Sequence, residues 1–255
     1  MTRPLPLPAI VRGPLLSALL LSGSLVFSGC SPSPSTSDSI TPGEIPLGHL
    51  PEEAFFDPSR WRPEEGFQVL TRLDFDPHFT EAETWSDIQD GFYCSGKPKG
   101  YLATKRPYRN FTLRLDYRFR RPDHLKNDAA YAGNTGFLFY ITGEQKVWPL
   151  SLEVQGKHTE MGDIRPNGGA EKPVVTLDTQ LRDELRSEVG RWNSLEIVSQ
   201  DGALSVMLNG ETISHCEPAF LSEGLIGVQS EGFPFEIRRM RIQEETPATS
   251  PAAMP

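Results

Sequence analysis

The sequence predicts an all-β domain built as a sandwich or jelly roll of antiparallel strands. From about Gly66 onward, short apolar or alternating segments recur, and turns rich in glycine, proline and asparagine separate them. This succession is typical of packed β-sheets. Helical periodicity is scarce, and no segment repeats with a period of roughly 20 to 50 residues, which argues against a solenoid or a propeller.

Residues 1–29 have the pattern of a lipoprotein signal peptide. Arg3 and Arg12 give a positively charged N-terminal region, and the apolar run from Leu15 to Phe27 is short for a helix that spans a bilayer. The small residues before Cys30 resemble a bacterial lipobox, in which the cysteine becomes the lipidated first residue. An ordinary cleaved signal with an incidental Cys30 is the alternative. We therefore expect a membrane anchor at Cys30 and a location in the bacterial cell envelope, at the outer membrane or in the periplasm.

Composition divides the remaining chain into three parts. Residues 30–50 are rich in serine, proline and threonine and predict a flexible tether, and residues 246–255 have the same character and predict a disordered tail. Residues 51–245 remain as the predicted folded domain, and their number suits a single all-β domain.

Charge and cysteine content limit the possible partners. Loss of the signal removes two of 25 basic residues and no acidic one, which leaves 23 against 34 and a formal charge of −11. Such a surface is a poor partner for nucleic acid. Cys94 and Cys216 can pair in an oxidising compartment or stay buried and free. No cysteine or histidine cluster has metal-ligand spacing, so we predict neither a metal nor a cofactor.

Individual strands can be placed along most of the domain. The clearest is 111–119, where apolar residues alternate with Thr, Arg and Asp, and 136–141 is a continuous apolar run that suits an interior strand. Asn209-Gly210 predicts a hairpin turn, and a phase slip between Ile237 and Met240 predicts a bulge. Residues 177–189 can form a short helix or a loop. Further strands are predicted at 192–198, 204–208, 211–214, 224–229 and 235–242.

The stretch from Trp148 to His158, WPLSLEVQGKH, alternates in a way that can mark either a solvated strand face or an active site. In a strand, successive side chains point to opposite faces. One row would face the core and the other, polar row would face solvent or a cleft. The core row is Leu150, Leu152 and Val154, and the polar row is Ser151, Glu153, Gln155 and Lys157.

Four stretches together resemble the 3-keto-disaccharide hydrolase family in their order and spacing. They are WSDIQDGFYCSGKPKGYLATKRPYRNFTLRLDYRF, GNTGFLFYITGEQKVWPLSLEVQGKH, GRWNSLEIVSQDGALSVMLNGETI and GLIGVQSEGFPFEIRRMRIQ, and the likeness spans about Leu73 to Glu244. The resemblance implies a concanavalin A-like jelly-roll sandwich of two curved antiparallel sheets, with a sugar cleft on the concave sheet. It also implies cleavage of glycosides that carry a ketone at sugar carbon 3. Two departures are residues 75–78, where the family has a Gly-Lys turn, and residues 164–172, which do not align.

The residues themselves disfavour a two-carboxylate glycosidase on the 148–158 strand. Retaining hydrolysis needs two carboxyl groups about 5 Å apart. Here Glu153 is followed by the amide Gln155 and then by Lys157, or by His158 if the strand bulges at Gly156. A regular strand would place Glu153 and His158 on opposite faces, whereas such a bulge would bring them together.

Elimination from a 3-keto-sugar needs one base, a donor for the enolate oxygen and an acid for the leaving group. Glu153 or His158 is the candidate base, and Lys105 is the candidate cation. Each has a plainer interpretation, since Glu153 can belong to a solvated face, Lys105 can be an exposed turn residue and His158 can cap the strand.

The substrate-binding candidates are Gln155, Trp148, Tyr140, Glu231 and Asp163. Trp148 and Tyr140 can stack on a sugar ring, although core packing suits Tyr140 better. Glu231 can lie at the cleft edge, and Asp163 can hold a sugar hydroxyl. We expect an enzyme whose partner is an oxidised oligosaccharide or glycoside. The alternatives are a non-catalytic carbohydrate-binding lipoprotein on the same fold and a structural lipoprotein.

Overall fold

A computed structural model of the protein describes residues 61–245. The predicted signal peptide, Cys30, the tether and the tail lie outside the described residues, and so do residues 51–60 of the predicted domain.

The described chain forms short strands joined by turns, with one α-helix. The strands are β1 Gln68–Val69, β2 Phe75–His78, β3 Trp85–Ile88, β4 Gly91–Cys94, β5 Gly100–Thr104, β6 Phe111–Phe119, β7 Gly136–Thr142, β8 Leu150–Gln155, β9 Ile164–Asn167, β10 Val175–Leu177, β11 Asn193–Gln200, β12 Ala203–Leu208, β13 Glu211–Cys216, β14 Leu225–Ser230 and β15 Phe235–Glu244. The helix is α1, Thr179–Leu185. Single 3₁₀ turns occupy Arg72–Asp74, Ala82–Thr84, Asp128–Ala130 and His158–Glu160.

Two antiparallel sheets face each other, which confirms the predicted all-β jelly-roll sandwich. The large sheet has the order β10-β13-β12-β11-β6-β15-β4-β3, with β1 paired to β15, and the small sheet has the order β2-β5-β14-β7-β8-β9. Rings from both sheets meet in the core between them. Tyr117 of β6 contacts Phe137 of β7 with ring centroids 5.3 Å apart, and Phe111 stacks on Phe139 at 5.9 Å. Their burial supplies the main driving force for pairing the sheets.

The longer strands agree with the sequence patterns. Residues 111–119 form β6 as predicted. The strand around Glu153 is shorter than the predicted stretch 148–158 and lies inside it, and the other predicted strands begin and end within two residues of their predicted bounds. The bulge is confirmed by a register shift between Arg238 and Arg241, with Arg239 at φ 54°. The Asn209-Gly210 turn is confirmed, and the 177–189 segment contains the short helix α1, whose Leu181 amide donates to the Asp178 side chain.

The cysteines are free and buried, so the second of the two predicted alternatives holds. Cys94 ends β4 and Cys216 ends β13, and these strands are five positions apart in the large sheet. At about 4.8 Å per strand the separation is roughly 24 Å, far beyond the reach of a disulfide. Burial raises the pKa of the Cys94 thiol to about 11, so this thiol stays protonated at neutral pH.

Arginine side chains cover the outer side of the large sheet without leaving it strongly positive. The guanidinium groups of Arg118 and Arg238 lie 4.4 and 4.1 Å from the ring centroid of Trp192. Glu236, which is 7% exposed, accepts hydrogen bonds from Arg118 at 2.8 Å and from Arg120 at 3.0 Å. One buried carboxylate thus fixes two cations, Arg118 and Arg120, which gives this face a defined structure.

We predict that Glu236→Gln destabilises the domain by roughly 1–3 kcal/mol, because a charged hydrogen-bond acceptor is lost at a buried position. Urea unfolding at neutral pH measures the effect. The matched control is Glu244→Gln on the same strand, whose exposed ion pair with Arg106 should contribute at most about 1 kcal/mol. Equal losses in the two variants would contradict a special role for Glu236.

Candidate functional site

One face of the small sheet belongs to the core, and the other, here called the site face, is turned away from it. Along β8, Leu152 and Val154 belong to the core, while Glu153 and Gln155 belong to the site face. The predicted alternation is therefore present, but these two polar side chains are largely shielded from solvent, since Glu153 is 9% exposed and Gln155 is 5% exposed. The same face also includes Tyr101, Ala103, Leu138, Gly136, Gln229 and Arg165.

A loop covers one part of the site face. Tyr101, Ala103, Leu138 and Ile141 form a small apolar cluster that is buried yet separate from the main core. Residues 143–149 connect β7 to β8, and Gln145 in this loop accepts a hydrogen bond of 2.5 Å from the Tyr101 hydroxyl. Because Tyr101 lies on β5, two strands away from β7, the loop must fold back across the sheet.

Trp148 stands at the end of this loop, next to Lys99. The Lys99 Nζ atom lies 5.8 Å from the centroid of the Trp148 ring. Burial raises the pKa of Glu231, against smaller opposing effects of the Lys99 charge and of a hydrogen bond with Asn134. Lys99 is therefore a common neighbour of the predicted binding residues Trp148 and Glu231.

The loop leaves another part of the site face open. The floor of this part is formed around Gly136, which lies between Glu153 and Gln229. A methyl group on Gly136 would lie 2.2 Å from Glu153 Oε1 and 2.4 Å from Gln229 Oε1, so only glycine leaves room for both oxygens. Gln229 is 1% exposed, and its Oε1 atom has no hydrogen-bond partner. Two acceptor oxygens therefore lie close together on the floor.

Glu153 has the most perturbed carboxyl group of the site. Burial raises its pKa from the ordinary 4.5 to about 7, the negative charges of Glu231 and Asp163 add to the rise, and the positive charge of Arg165 opposes it. At neutral pH both protonation states are populated. A carboxyl group in this condition can accept a proton and return it.

Arg165 is the cation that the structure brings to Glu153. It lies directly opposite Glu153 on β9, donates to Asp163 at 2.7 Å and also pairs with Glu160. Glu160 in turn accepts a hydrogen bond from Lys157. The network fixes Arg165 beside the carboxyl group, and it places the predicted binding residue Asp163 at the same edge.

Two predicted catalytic residues lie elsewhere. Lys105 is exposed and follows β5, three strands from β8, which corresponds to about 14 Å in a sheet. His158 is 3% exposed in the 3₁₀ turn after β8, with its ring 6.0 Å from that of Tyr131. Burial and the charge of Arg186 lower the pKa of His158 to about 4. The predicted bulge at Gly156 does not bring His158 to Glu153, because the histidine ring packs against Tyr131 and its backbone amide donates to the Gly133 carbonyl at 3.1 Å.

Tyr140 cannot stack on a sugar as predicted, because its ring is fully buried in the core. Its hydroxyl lies 2.7 Å from the Ser199 hydroxyl of the large sheet. Gln155 lies on the site face, and its Oε1 atom accepts a hydrogen bond of 2.8 Å from the Lys157 backbone. This bond holds the Gln155 side chain in place and leaves its amide nitrogen for another partner.

Sequence reasoning missed Gln229, Arg165 and Gly136. Gln229 could have been found by extending the β14 pattern, in which Ile226 and Val228 belong to the core and Gln229 must face the other way. Arg165 lies in the segment that does not align with the family pattern. For Gly136 no signal exists in one sequence, since its role depends on two side chains from neighbouring strands.

Comparison with known families decides the assignment. The model of the 3-keto-alpha-glucoside-1,2-lyase-like domain matches residues 57–243, which is nearly the whole folded domain. The chain belongs to this family. The 3-keto-alpha-glucoside-1,2-lyase-like assignment indicates a carbohydrate-active protein, in agreement with the resemblance seen in the sequence.

Several solved structures are similar to this chain at low sequence identity. A Parabacteroides distasonis protein provisionally described as a glycosyl hydrolase is 21% identical, with a TM-score of 0.49 over 67% of this chain and 99% of that one. The carbohydrate-binding module CBM66 of Bacillus subtilis is 12% identical, with a TM-score of 0.47 over 69% of this chain and 100% of that one. A search of curated proteins found no match.

Two further features of this lyase-like domain concern residues 61–245 alone. Over that range no helix has the length and apolar character needed to cross a bilayer. Over the same range no three His, Cys, Asp or Glu side chains are grouped in a way that could hold a metal ion.

We predict that Glu153→Gln stabilises the protein above pH 7. The pKa of Glu153 is raised on folding, so between pH 4.5 and about 7 the unfolded chain ionises while the folded chain keeps the proton, and stability falls as pH rises. Removing the ionisable group should restore roughly 1–3 kcal/mol at pH 8 and little at pH 4. Urea unfolding at both pH values measures this, and an equal effect at both would contradict the burial argument.

Proposed function

We propose that the protein cleaves 3-keto-glycosides by elimination across carbons 1 and 2 of the oxidised sugar, with Glu153 as the base. Water then adds to complete a net hydrolysis. Family membership supports the substrate class. The observation that carries the role of Glu153 is the burial of its carboxyl group on the site face, with its pKa near 7.

The chemistry of the ketone determines what the protein must supply. A ketone at carbon 3 acidifies the proton on carbon 2 and leaves the glycosidic oxygen of carbon 1 in the β position. The Glu153 carboxylate takes the carbon 2 proton, a double bond forms between carbons 1 and 2, and the bond from carbon 1 to oxygen breaks. The leaving oxygen takes up a proton and departs as an alcohol. Addition of water across the double bond yields the free 3-keto-sugar, whereas release before this step would make the protein a lyase.

A pKa near 7 suits Glu153 for this role. A general base works best when its pKa lies near the working pH, because it is then strong and still substantially ionised. An ordinary carboxylate would be fully ionised but a weaker base by about 2.5 pKa units.

Arg165 and Glu231 are proposed for the remaining tasks. Arg165 takes the place predicted for Lys105, since it is the cation opposite Glu153 and can stabilise the enolate oxygen. Glu231, whose pKa burial raises, is the candidate acid for the leaving oxygen. Trp148, Gln155 and Asp163 stay as substrate-binding candidates around these groups.

The cell-envelope location is part of the same proposal. A lipid attached at Cys30 would hold the domain at the outer membrane, near glycosides that enter the periplasm. Metabolic labelling with a fatty acid tests this, and the label should be lost in Cys30→Ala.

We predict that Glu153→Gln lowers the rate of cleavage by about 10²- to 10⁴-fold, because the base is removed without a change in shape. The assay follows aglycone release from a 3-keto-glucoside and from its unoxidised parent, which should not be cleaved. The matched control is Glu196→Gln, a carboxylate that pairs with Arg114 on the outer side of the large sheet, and it should retain full activity.

Isotope labelling separates elimination from direct hydrolysis in the same assay. Elimination predicts deuterium at carbon 2 of the product formed in D₂O, or slower cleavage of a substrate deuterated at carbon 2, and direct hydrolysis predicts neither. A wild-type protein that is folded, binds sugar by calorimetry and cleaves nothing would overturn the proposal in favour of the carbohydrate-binding module.

The pH dependence provides an independent prediction. Glu153 must be ionised to act as a base, so kcat/KM should rise with pH through a midpoint near 7. An ordinary glutamate would place this rise near 4.5. A midpoint below pH 5.5 in initial-rate measurements would contradict the assignment of Glu153 as the base.

A further inference from the structure

Gln229 presents a buried amide oxygen for which the fold supplies no donor. Its side chain lies on the site face of β14 and is 1% exposed, and its unpartnered Oε1 atom lies, like the Glu153 Oε1 atom, within 2.4 Å of the position that a methyl group on Gly136 would take. A buried polar atom without a partner is costly, and such atoms are rare in folded proteins. An acceptor beside a second acceptor would be worse still, unless a proton lies between them.

We infer that Gln229 is a positioning residue. Its side-chain amide holds the Glu153 carboxyl group in place both when that group carries the proton and when the proton has left. The inference rests on the proposed function of Glu153 as the base. An amide offers both an acceptor and two donors. Its oxygen accepts from the Glu153 O–H group when the proton is present, and after rotation by about 180° its N–H group donates to the carboxylate when the proton has left.

The surroundings of Gln229 fit this role. The Thr135 hydroxyl donates to the Gln229 backbone carbonyl at 2.8 Å, and Thr135 immediately precedes Gly136, so the strand segment that carries the amide is tied to the glycine beside it. Gly136 leaves the space in which the two side chains meet.

Gln229 acts on Glu153 and not on the substrate. Its Oε1 atom is buried beneath the surface of the site, so a sugar hydroxyl cannot reach it in this arrangement. The role should therefore appear in the chemical step and in the titration of Glu153, with little effect on substrate affinity.

The first experiment measures kcat and KM for Gln229→Leu, which removes both hydrogen-bonding groups. We expect kcat to fall about 10- to 100-fold, the effect of losing a hydrogen bond to a charged group, while KM stays within about threefold. In a Glu153→Gln background the same substitution should have no further effect on the residual rate, because it acts through Glu153. The control is Gln200→Leu, an exposed amide on β11, which should keep wild-type kinetics.

The second experiment needs no activity, so it separates failure of this inference from failure of the proposed function. Carbon-13 NMR of protein labelled at the glutamate carboxyl carbon follows the titration of Glu153, which is assigned by the signal missing in Glu153→Gln. Gln229→Glu introduces an acid of the same shape against Glu153. The pair should then share one proton, and the upper midpoint should rise by more than about one pH unit.

Three outcomes would overturn the inference. They are a rise in KM with unchanged kcat in Gln229→Leu, additive effects in the double variant, and a Glu153 midpoint that does not move in Gln229→Glu. Gly136→Ala provides a check that keeps both side chains, since its methyl group would push the two oxygens apart. If it folds, as judged by its melting temperature, it should reproduce the loss of kcat seen in Gln229→Leu.

Discussion

The constraint on which the site depends is the removal of one carboxyl group from water. Glu153 projects from β8, an interior strand of the small sheet that lies between β7 and β9 and packs against the core through Leu152 and Val154. The cost of burying a charge there is met by keeping the proton, which is why the pKa rises. Gly136 provides the space for the carboxyl group, and Gln229 provides a neighbour that matches either protonation state.

The two outer faces of the sandwich treat charge in opposite ways. On the large sheet, Glu236 is buried but paired with two arginines, and this arrangement serves stability. On the small sheet, Glu153 has no ion pair among residues 61–245, and Arg165, the nearest cation across the strand pair, is already engaged by Asp163 and Glu160. Full neutralisation by Arg165 would hold Glu153 ionised with a low pKa and make it a weak base. The acidic partners of Arg165 therefore help to keep the pKa of Glu153 near 7.

The sequence alone predicts the elements whose information is local. Alternation in β6, the Asn209-Gly210 turn and the bulge near Arg239 follow from neighbouring residues, and the polar row containing Glu153 follows from the same rule. The position of His158 could not be predicted, because it depends on a contact with Tyr131, which lies in a loop distant in sequence. Tyr140 differs for a similar reason, since its positive φ of 61° at an irregular point of β7 turns the ring toward Ser199. Arg165 and Gln229 reach Glu153 only through strand register, which a single sequence does not specify.

The amides around Glu153 also favour elimination over a double displacement. A retaining glycosidase divides its work between an ionised nucleophile and a protonated acid about 5 Å apart, and β8 itself offers only one carboxyl group, Glu153. Gln155 and Gln229 do not ionise, so they can orient a substrate or a proton without adding a second negative charge beside Glu153. In the proposed reaction, proton exchange at the floor is left to Glu153, and Glu231 is the proposed second acid at the edge of the site. One base with a pKa near 7 can take the carbon 2 proton and return it when water adds, so the same group can serve both halves of a net hydrolysis.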